Sequence, residues 1–250
     1  MKEYLNLSYG EHPSLSLDLY LPDRDAFPVF IYFHGGGLEG GDKAGFSRFV
    51  PYLVEHGIAV VSANYRMYPE AKYPDFITDA ARAVAYTLSH IGEYGESLGV
   101  FVGGSSAGGY LSMMLCFDES YLQSAGVDPQ NVKGYLHDAG QPTAHFNVLR
   151  EHGIDSRRVI IDESAPLFHV GKRTAYPPMH FIVSDDDMKN RYEQTMLVLG
   201  TLSHFCVSTP VSHTVMHGKH CAYTNANAPR DGDGEYPFAK IIAEFVLKNM

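Results

Sequence analysis

A short segment rich in glycine and serine contains the residues best suited to covalent chemistry. Gly104-Ser105-Ser106-Ala107-Gly108 fits the pattern Gly-x-Ser-x-Gly and lies between a buried apolar run and an apolar helical repeat. Glycines allow the sharp turn that would hold a serine in a strained conformation at the end of a strand. We therefore predict that Ser106 is a nucleophile. Ser105 is a weaker candidate, because the same pattern centred on Ser105 lacks the final glycine. The alternative for the whole segment is an ordinary glycine-rich turn without a catalytic role.

A second glycine cluster supplies the groups that such a nucleophile needs. His34-Gly35-Gly36-Gly37 directly follows another apolar run. Glycines let backbone N–H groups approach a substrate, and an acyl-transfer reaction requires such donors around the developing oxyanion. We predict that one donor is Gly36 or Gly37 and that the other is Ala107, the residue after the nucleophile. A flexible turn is the alternative for this cluster.

An acid and a base are expected further along the chain, in the order serine, acid, histidine. Asp185, Asp186 and Asp187 follow one strand-like run, and His217 and His220 follow the last one. Spacing alone leaves the three aspartates open, since any of them could be a solvated loop carboxylate or the N-cap of the next helix. His217 would lie nearer the end of the strand, which favours His220 as the base.

Strand-like and helix-like segments alternate along the chain. Continuous apolar or alternating runs predict strands at 15–21, 28–33, 58–63, 99–103, 180–183 and, more weakly, 211–216. The first of these alternates strictly, which predicts an antiparallel strand buried on one face. Apolar spacings of three and four predict helices at 46–56, 75–90, 107–117, 192–202 and 236–250. This alternation predicts an α/β fold with a doubly wound, mostly parallel sheet of about eight strands and helices on both faces.

Several motifs together resemble one large group of enzymes. They occur in the following order: His34-Gly35-Gly36-Gly37, Asn64-Tyr65-Arg66-Met67-Tyr68-Pro69-Glu70, Pro74, Asp79 and Gly104-Ser105-Ser106-Ala107-Gly108-Gly109. In this the chain resembles the α/β-hydrolase esterases and lipases related to hormone-sensitive lipase and to bacterial carbohydrate esterases (acetyl and feruloyl esterases). The resemblance extends from about residue 15 to the C-terminus. It departs from the group at Leu38, where an aromatic residue is common, and in its short N-terminal segment, which leaves little chain for a helical lid.

The resemblance implies roles for particular residues. Members commonly read Gly-x-x-Asp after the strand that carries the acid, and Ser184 stands at the glycine, which selects Asp187. Their Gly-x-His or Gly-x-x-His pattern after the last strand matches His220. The resemblance also implies supporting roles behind the nucleophile turn, assigned to His34, Arg66 and Asp79.

Composition limits the other possibilities. The chain of 250 residues has a net charge of −10, which argues against a nucleic-acid partner. Its three cysteines form no Cys-x-x-Cys pair, so a disulfide framework and a thiolate zinc site are not expected. No signal peptide or membrane-spanning run is visible, which predicts a cytoplasmic protein without a membrane partner. Asp185, Asp186 and Asp187 with His217 suggest a metal cluster, but a triad accounts for the key members, so we expect neither metal nor organic cofactor.

The expected function is hydrolysis of a small-molecule ester, with short acyl groups and acetylated or feruloylated sugars as the candidate substrates. An amidase, formamidase or small peptidase on the same fold is the alternative enzyme, and a non-catalytic binding homologue is the alternative outside enzymes. We expect residues 1–250 to form a single domain. The irregular stretch 140–178 is expected to be either a small cap over the site or a long crossover. The sequence does not specify an oligomeric state.

Overall fold

The computed structural model describes residues 1–250, and its centre is a sheet of eight strands. The strands are β1 Lys2–Ser8, β2 Ser16–Leu21, β3 Ala26–Phe33, β4 Ala59–Ala63, β5 Glu96–Ser105, β6 Val132–Asp138, β7 Met179–Asp186 and β8 Val211–Lys219. Their order across the sheet is β1-β2-β4-β3-β5-β6-β7-β8. β1 and β2 pair antiparallel, β2 also pairs antiparallel with β4, and all remaining pairs are parallel. The predicted fold class is therefore confirmed.

Helices cover both faces of this sheet. They are α1 Val50–Glu55, α2 Asp75–His90, α3 Ala107–Phe117, α4 Ser120–Ser124, α5 Phe146–Glu151, α6 Pro166–His169, α7 Arg191–Phe205 and α8 Pro237–Lys248. One apolar core lies between the sheet and α2, α3 and α7. A second core, rich in phenylalanine, lies between the opposite face and α1 and α8. Because both faces are covered, a central strand such as β3 is apolar along its whole length.

The second strand differs from its prediction. Strict alternation in residues 15–21 predicted one solvent-facing side, but β2 is buried on both sides. The reason is an ion pair within the fold: Lys43 Nζ lies 2.8 Å from Asp18 Oδ1, and both side chains are more than nine-tenths buried. The same lysine donates to Asn6 Oδ1 at 2.8 Å, which ties β1 to this pair. Asp18, a polar residue of the alternating pattern, is therefore buried and paired with Lys43.

Two strands have no counterpart among the predicted segments. β1 is exposed and polar for most of its length, and its place in the sheet depends on pairing with β2. β6 is buried, but Lys133, His137 and Asp138 interrupt its apolar pattern. In addition, β8 is longer than predicted and includes His217.

The stretch 140–178 contains α5 and α6 and lies at the carboxyl edge of the sheet. Asn147 Nδ2 donates to the carbonyl of Gly37 at 3.1 Å, and the Tyr110 hydroxyl of α3 donates to the carbonyl of Ser164 at 2.8 Å. These contacts attach the stretch to the predicted glycine loop and to the helix that follows Ser106. None of the eight helices combines the length and the apolar character needed to cross a membrane.

The buried ion pair gives a stability prediction. Replacing Lys43 by methionine leaves Asp18 buried without its partner, and breaking such a pair costs about 3–5 kcal/mol. We expect Lys43→Met to lower the free energy of unfolding by that amount, measured by urea denaturation. Lys219 is the control, since its side chain is 86% exposed and lies 3.9 Å from Asp186. Lys219→Met should change the value by at most about 1 kcal/mol. Equal losses in the two variants would contradict the prediction.

Candidate active site

The backbone at Ser106 adopts the strained turn that the motif predicts. Ser106 lies between the end of β5 and the start of α3 with φ 56° and ψ −111°, a conformation that a residue with a side chain rarely adopts. A methyl group on Gly108 would collide with the carbonyl of Phe33 at the end of β3, and one on Gly104 would collide with Gly108. The amide of Ser106 donates to the carbonyl of Asp138 at 2.8 Å, which fastens the turn to β6.

The structure brings Ser106, His220 and Asp187 together. Ser106 Oγ lies 2.8 Å from His220 Nε2, and His220 Nδ1 lies 2.5 Å from Asp187 Oδ1. The Asp187 side chain is fully buried and also accepts from the amides of Ser184, at 3.1 Å, and Met188, at 2.7 Å. Burial raises the pKa of Asp187, but the hydrogen bond and charge of His220 and these two amides outweigh it, so the net pKa lies below its usual value. The carboxylate is therefore held ionised beside the imidazole.

The competing acids and histidine lie elsewhere. His217 Nδ1 contacts Asp185 Oδ2 at 2.6 Å, but the His217 side chain is 97% exposed. Asp186 is exposed and faces Lys219. Neither aspartate is the N-cap of α7, because that position is occupied by Asn190. Among the alternatives that the sequence left open, the geometry thus singles out Asp187 and His220 as the pair that reaches Ser106.

The glycine loop after β3 lies against Ser106, since a methyl group on Gly35 would come within 3.2 Å of the Ser106 Cβ, and it carries unpaired amides. Gly36 and Gly37 have φ values of 121° and 66°, and neither of their amides donates to another protein group. A methyl group on Gly36 would collide with Gly40, so the loop closes tightly on itself. Ala107 is the first residue of α3, where an N–H has no partner within the helix. The three predicted oxyanion donors therefore occupy positions in which backbone N–H groups are available.

The residues predicted to support the site form two separate contacts. His34 stacks on Tyr65 with ring centroids 4.6 Å apart, and the Tyr65 hydroxyl donates to the His34 carbonyl at 2.8 Å. Arg66 makes a two-pronged ion pair with Asp79, since its Nε and Nη2 lie 2.8 Å from the two carboxylate oxygens. Asp79 is fully buried in α2, which packs against α3. This pair therefore fixes the segment after β4 to the helix layer behind the nucleophile turn.

Asp138 is a part of the site that the sequence analysis missed, and it is bonded to Tyr223. Asp138 closes β6 and is completely buried; Ser105 donates its hydroxyl to one carboxyl oxygen, and Tyr223 donates to the other at 2.5 Å. Tyr223 belongs to the same loop as His220, so Asp138 joins the nucleophile turn to the loop that carries the histidine. Burial raises the pKa of Asp138 to about 7, despite these hydrogen bonds and the nearby His220. The only signal in the sequence is an aspartate at the end of a strand, and that strand was not predicted.

The structure contains no group of three or more His, Cys, Asp or Glu side chains that could hold a metal ion. Asp185 and His217 thus meet only as a pair at the surface. Cys221 follows His220, and its sulfur lies 3.7 Å from His220 Nε2. Burial raises the pKa of this thiol well above its usual value, so it remains protonated.

The strand order, the covering helices and a serine at the turn after the central strand define a protein of the α/β-hydrolase fold. The family model described as BD-FAE matches residues 17–149, which is more than half of the chain. The chain belongs to the BD-FAE family.

Relatives and solved structures agree with this placement. The chain is 37% identical over 116 residues to the probable carboxylic ester hydrolase LipM of Mycobacterium tuberculosis, covering 44% of this chain and 27% of LipM. It is 31% identical over 124 residues to the probable isoprenylcysteine alpha-carbonyl methylesterase ICMEL2 of Arabidopsis thaliana, covering 48% of this chain and 29% of that protein. The chain thus matches less than a third of the length of these curated relatives.

A truncated carbohydrate esterase from gut microbiota has a similar structure. It superimposes with a TM-score of 0.77 at 19% sequence identity, over 100% of this chain and 96% of that one. At this level of identity the similarity shows a shared fold.

The raised pKa of Asp138 predicts a pH-dependent stability. The folded protein keeps this proton up to about pH 7, whereas the unfolded chain releases it near its ordinary pKa of 3.8. The free energy of unfolding contributed by this group therefore falls as the pH rises between those values. We expect Asp138→Asn to remove that fall, measured by urea denaturation from pH 4.5 to pH 8. Asp186→Asn, at an exposed position, is the control and should keep the wild-type slope; parallel curves for all three proteins would refute the prediction.

Proposed function

We propose that the protein is a serine carboxylesterase that hydrolyses short-chain acyl esters through an acyl-enzyme. The observation that carries this proposal is the continuous hydrogen-bonded chain from Ser106 through His220 to Asp187. At its Ser106 end lie the amide of Ala107 and the glycine loop, whose Gly36 and Gly37 amides have no acceptor within the protein. A nucleophile, an oriented base and oxyanion donors in one place are the requirements of acyl transfer.

The reaction begins with attack of Ser106 Oγ on the ester carbonyl carbon. His220 Nε2 takes the hydroxyl proton, and the carbonyl oxygen becomes an oxyanion that accepts from Ala107 and from Gly36 or Gly37. Asp187 fixes the tautomer with Nδ1 protonated and stabilises the imidazolium cation. The low pKa of Asp187 keeps its charge available throughout.

Collapse of the tetrahedral intermediate breaks the bond to the alcohol oxygen, which takes the proton from His220. Water then enters, and His220 removes one of its protons as the oxygen attacks the acyl-enzyme. Collapse of the second intermediate returns the proton to Ser106 and releases the carboxylic acid. No step in this sequence needs a metal ion or an organic cofactor.

Acetyl or feruloyl esters of sugars are the substrates that we propose within this class. Membership in the BD-FAE family and the structural similarity to a carbohydrate esterase support this choice. An amide or formamide substrate would use the same residues, because the triad and the oxyanion donors act on either carbonyl. The choice between ester and amide is therefore a matter for measurement.

Removing the nucleophile tests the proposal directly. We expect wild-type protein to hydrolyse p-nitrophenyl acetate and butyrate faster than octanoate, and Ser106→Ala to retain less than about a thousandth of that rate. Ser105→Ala is the control for the loss of a serine hydroxyl at this turn, because it alters the neighbouring serine and leaves Ser106 in place. Full turnover by a clean Ser106→Ala preparation would overturn the assignment of the nucleophile. Faster hydrolysis of esters of twelve carbons or more would overturn the short-chain preference.

The acid can be tested with a matched pair of variants. Asp187→Asn keeps the shape of the side chain but removes the charge and favours the wrong imidazole tautomer, a change that costs about 10⁴ in kcat where a triad operates. Asp185→Asn changes a carboxylate two residues away that contacts only the exposed His217 and the amide of Gly218. We expect it to keep kcat for p-nitrophenyl acetate within about twofold of wild type. Equal effects of the two substitutions would exclude Asp187 as the acid.

A further inference from the structure

A cavity of about 430 Å³ lies beside Asp187, and none of the triad residues or predicted oxyanion donors lines it. It lies between α5, the stretch 156–159 and the start of α7. Its lining consists of Gln141, Phe146, Ser156, Arg157, Arg158, Val159, Met188, Lys189, Asn190, Arg191 and Gln194. This volume is within the range of small-molecule sites.

The cavity lies next to the candidate active site at two of its lining residues. A methyl group on Gly37 would come within 3.0 Å of the Phe146 ring, so this cavity residue lies against the oxyanion loop. Met188, another lining residue, donates its amide to Asp187 at 2.7 Å. A substituent of an ester held at Ser106 is the ligand that this adjacency favours.

The lining is cationic in a protein whose net charge is −10. It includes three arginines and one lysine, and no aspartate or glutamate. Arg157 is offset by an ion pair with Asp155 at the surface, whereas Arg158, Lys189 and Arg191 have no carboxylate within 4 Å. The positive end of α7, a helix of 15 residues, also begins at this cavity. The local charge is thus opposite to that of the whole protein.

Arg191 is the most informative residue of this lining. Only 5% of it is exposed, and its side chain bonds to the carbonyl of Ala139 and, at 3.3 Å, to Gln141 Oε1. A buried guanidinium is costly unless a carboxylate offsets its charge. Here the hydrogen-bond acceptors are neutral, Asp187 acts on the guanidinium only through space, and the side chain borders the cavity.

We propose that this cavity binds a carboxylate group carried by the ester substrate, an inference that rests on the proposed esterase function. Arg191, Asn190 and Gln194 border the cavity, and guanidinium and side-chain amide N–H groups are donors from which a carboxylate accepts. Lys189 at the rim attracts it from solvent. Phe146 and Met188 accommodate an apolar segment between the carboxylate and the scissile carbonyl.

The test compares esters that differ only in this group. One pair is the half methyl ester of glutaric acid and its amide analogue, in which the anion is on the acyl side. The other is 4-acetoxybutanoate and 4-acetoxybutanamide, in which it is on the alcohol side. We expect kcat/KM for the carboxylate to exceed that for the amide roughly tenfold to a hundredfold in one pair, the range for a hydrogen bond to a charged group. The pair that shows the preference identifies the side of the ester that enters the cavity.

Variants then connect the preference to the cavity. Arg191→Gln and Lys189→Gln should each reduce the ratio of carboxylate to amide turnover, and the effect of Lys189 should weaken with added salt because it is exposed. The ratio is insensitive to partial misfolding, which lowers both rates equally. Lys133→Gln removes a positive charge from the exposed amino end of β6 and should leave the ratio unchanged.

Three results bear on the proposal differently. A preference for the carboxylate that both cavity variants reduce supports it. Turnover of p-nitrophenyl acetate without any preference in either pair, or a preference that neither variant alters, overturns the cavity assignment and leaves the esterase function intact. Failure to turn over p-nitrophenyl acetate and all four esters overturns the proposed function and the cavity assignment with it.

Discussion

The close approach of α3 to the ends of β3 and β6 is the constraint on which the rest of the structure depends. The helix begins directly beneath the carbonyl of Phe33, at a distance that only a residue without a side chain at Gly108 permits. The amide of Ser106 is bonded to β6 at the same point. These two contacts hold the serine in its left-handed conformation, which would otherwise be unfavourable by about 1–3 kcal/mol. The strain places the serine hydroxyl above the sheet edge, where loops from other strands can reach it.

The functional groups come from the carboxyl ends of five neighbouring strands. β3 contributes the glycine loop, β5 the serine, β6 the buried Asp138, β7 Asp187 and β8 the loop with His220. Parallel strands direct these ends to one edge, so residues far apart in sequence meet without long connecting segments. Asp138, the contribution of β6, connects the contributions of β5 and β8. Its carboxyl group bonds to the nucleophile turn and to Tyr223 in the histidine loop.

The sequence predicted those features that depend on local patterns. Continuous apolar runs identified β3, β4, β5 and β7 but not the interrupted β6, and the glycine motifs identified the turns at Ser106 and Gly36, because these features depend on neighbouring residues. Features that depend on distant pairing were missed. β1 is polar and gains its place only by bonding to β2, while Asp138 meets Tyr223 across 85 positions of the chain. The cationic cavity is lined by residues from three separate segments, so its local positive charge could not be predicted from a sequence that is acidic overall.

The position of β8 in the sheet affects how the site unfolds. β8 is the last strand of the sheet and has hydrogen-bonded backbone on one side only, whereas β5 is bonded on both sides. Edge strands open at a lower free energy than central ones, so the sheet has a gradient of local stability from the middle outward. The serine follows a central strand and the histidine follows an edge strand. We therefore expect mild heating or low denaturant to separate the two halves of the site while the core is still folded, and hydrogen exchange at β8 to report that opening before any global change in secondary structure.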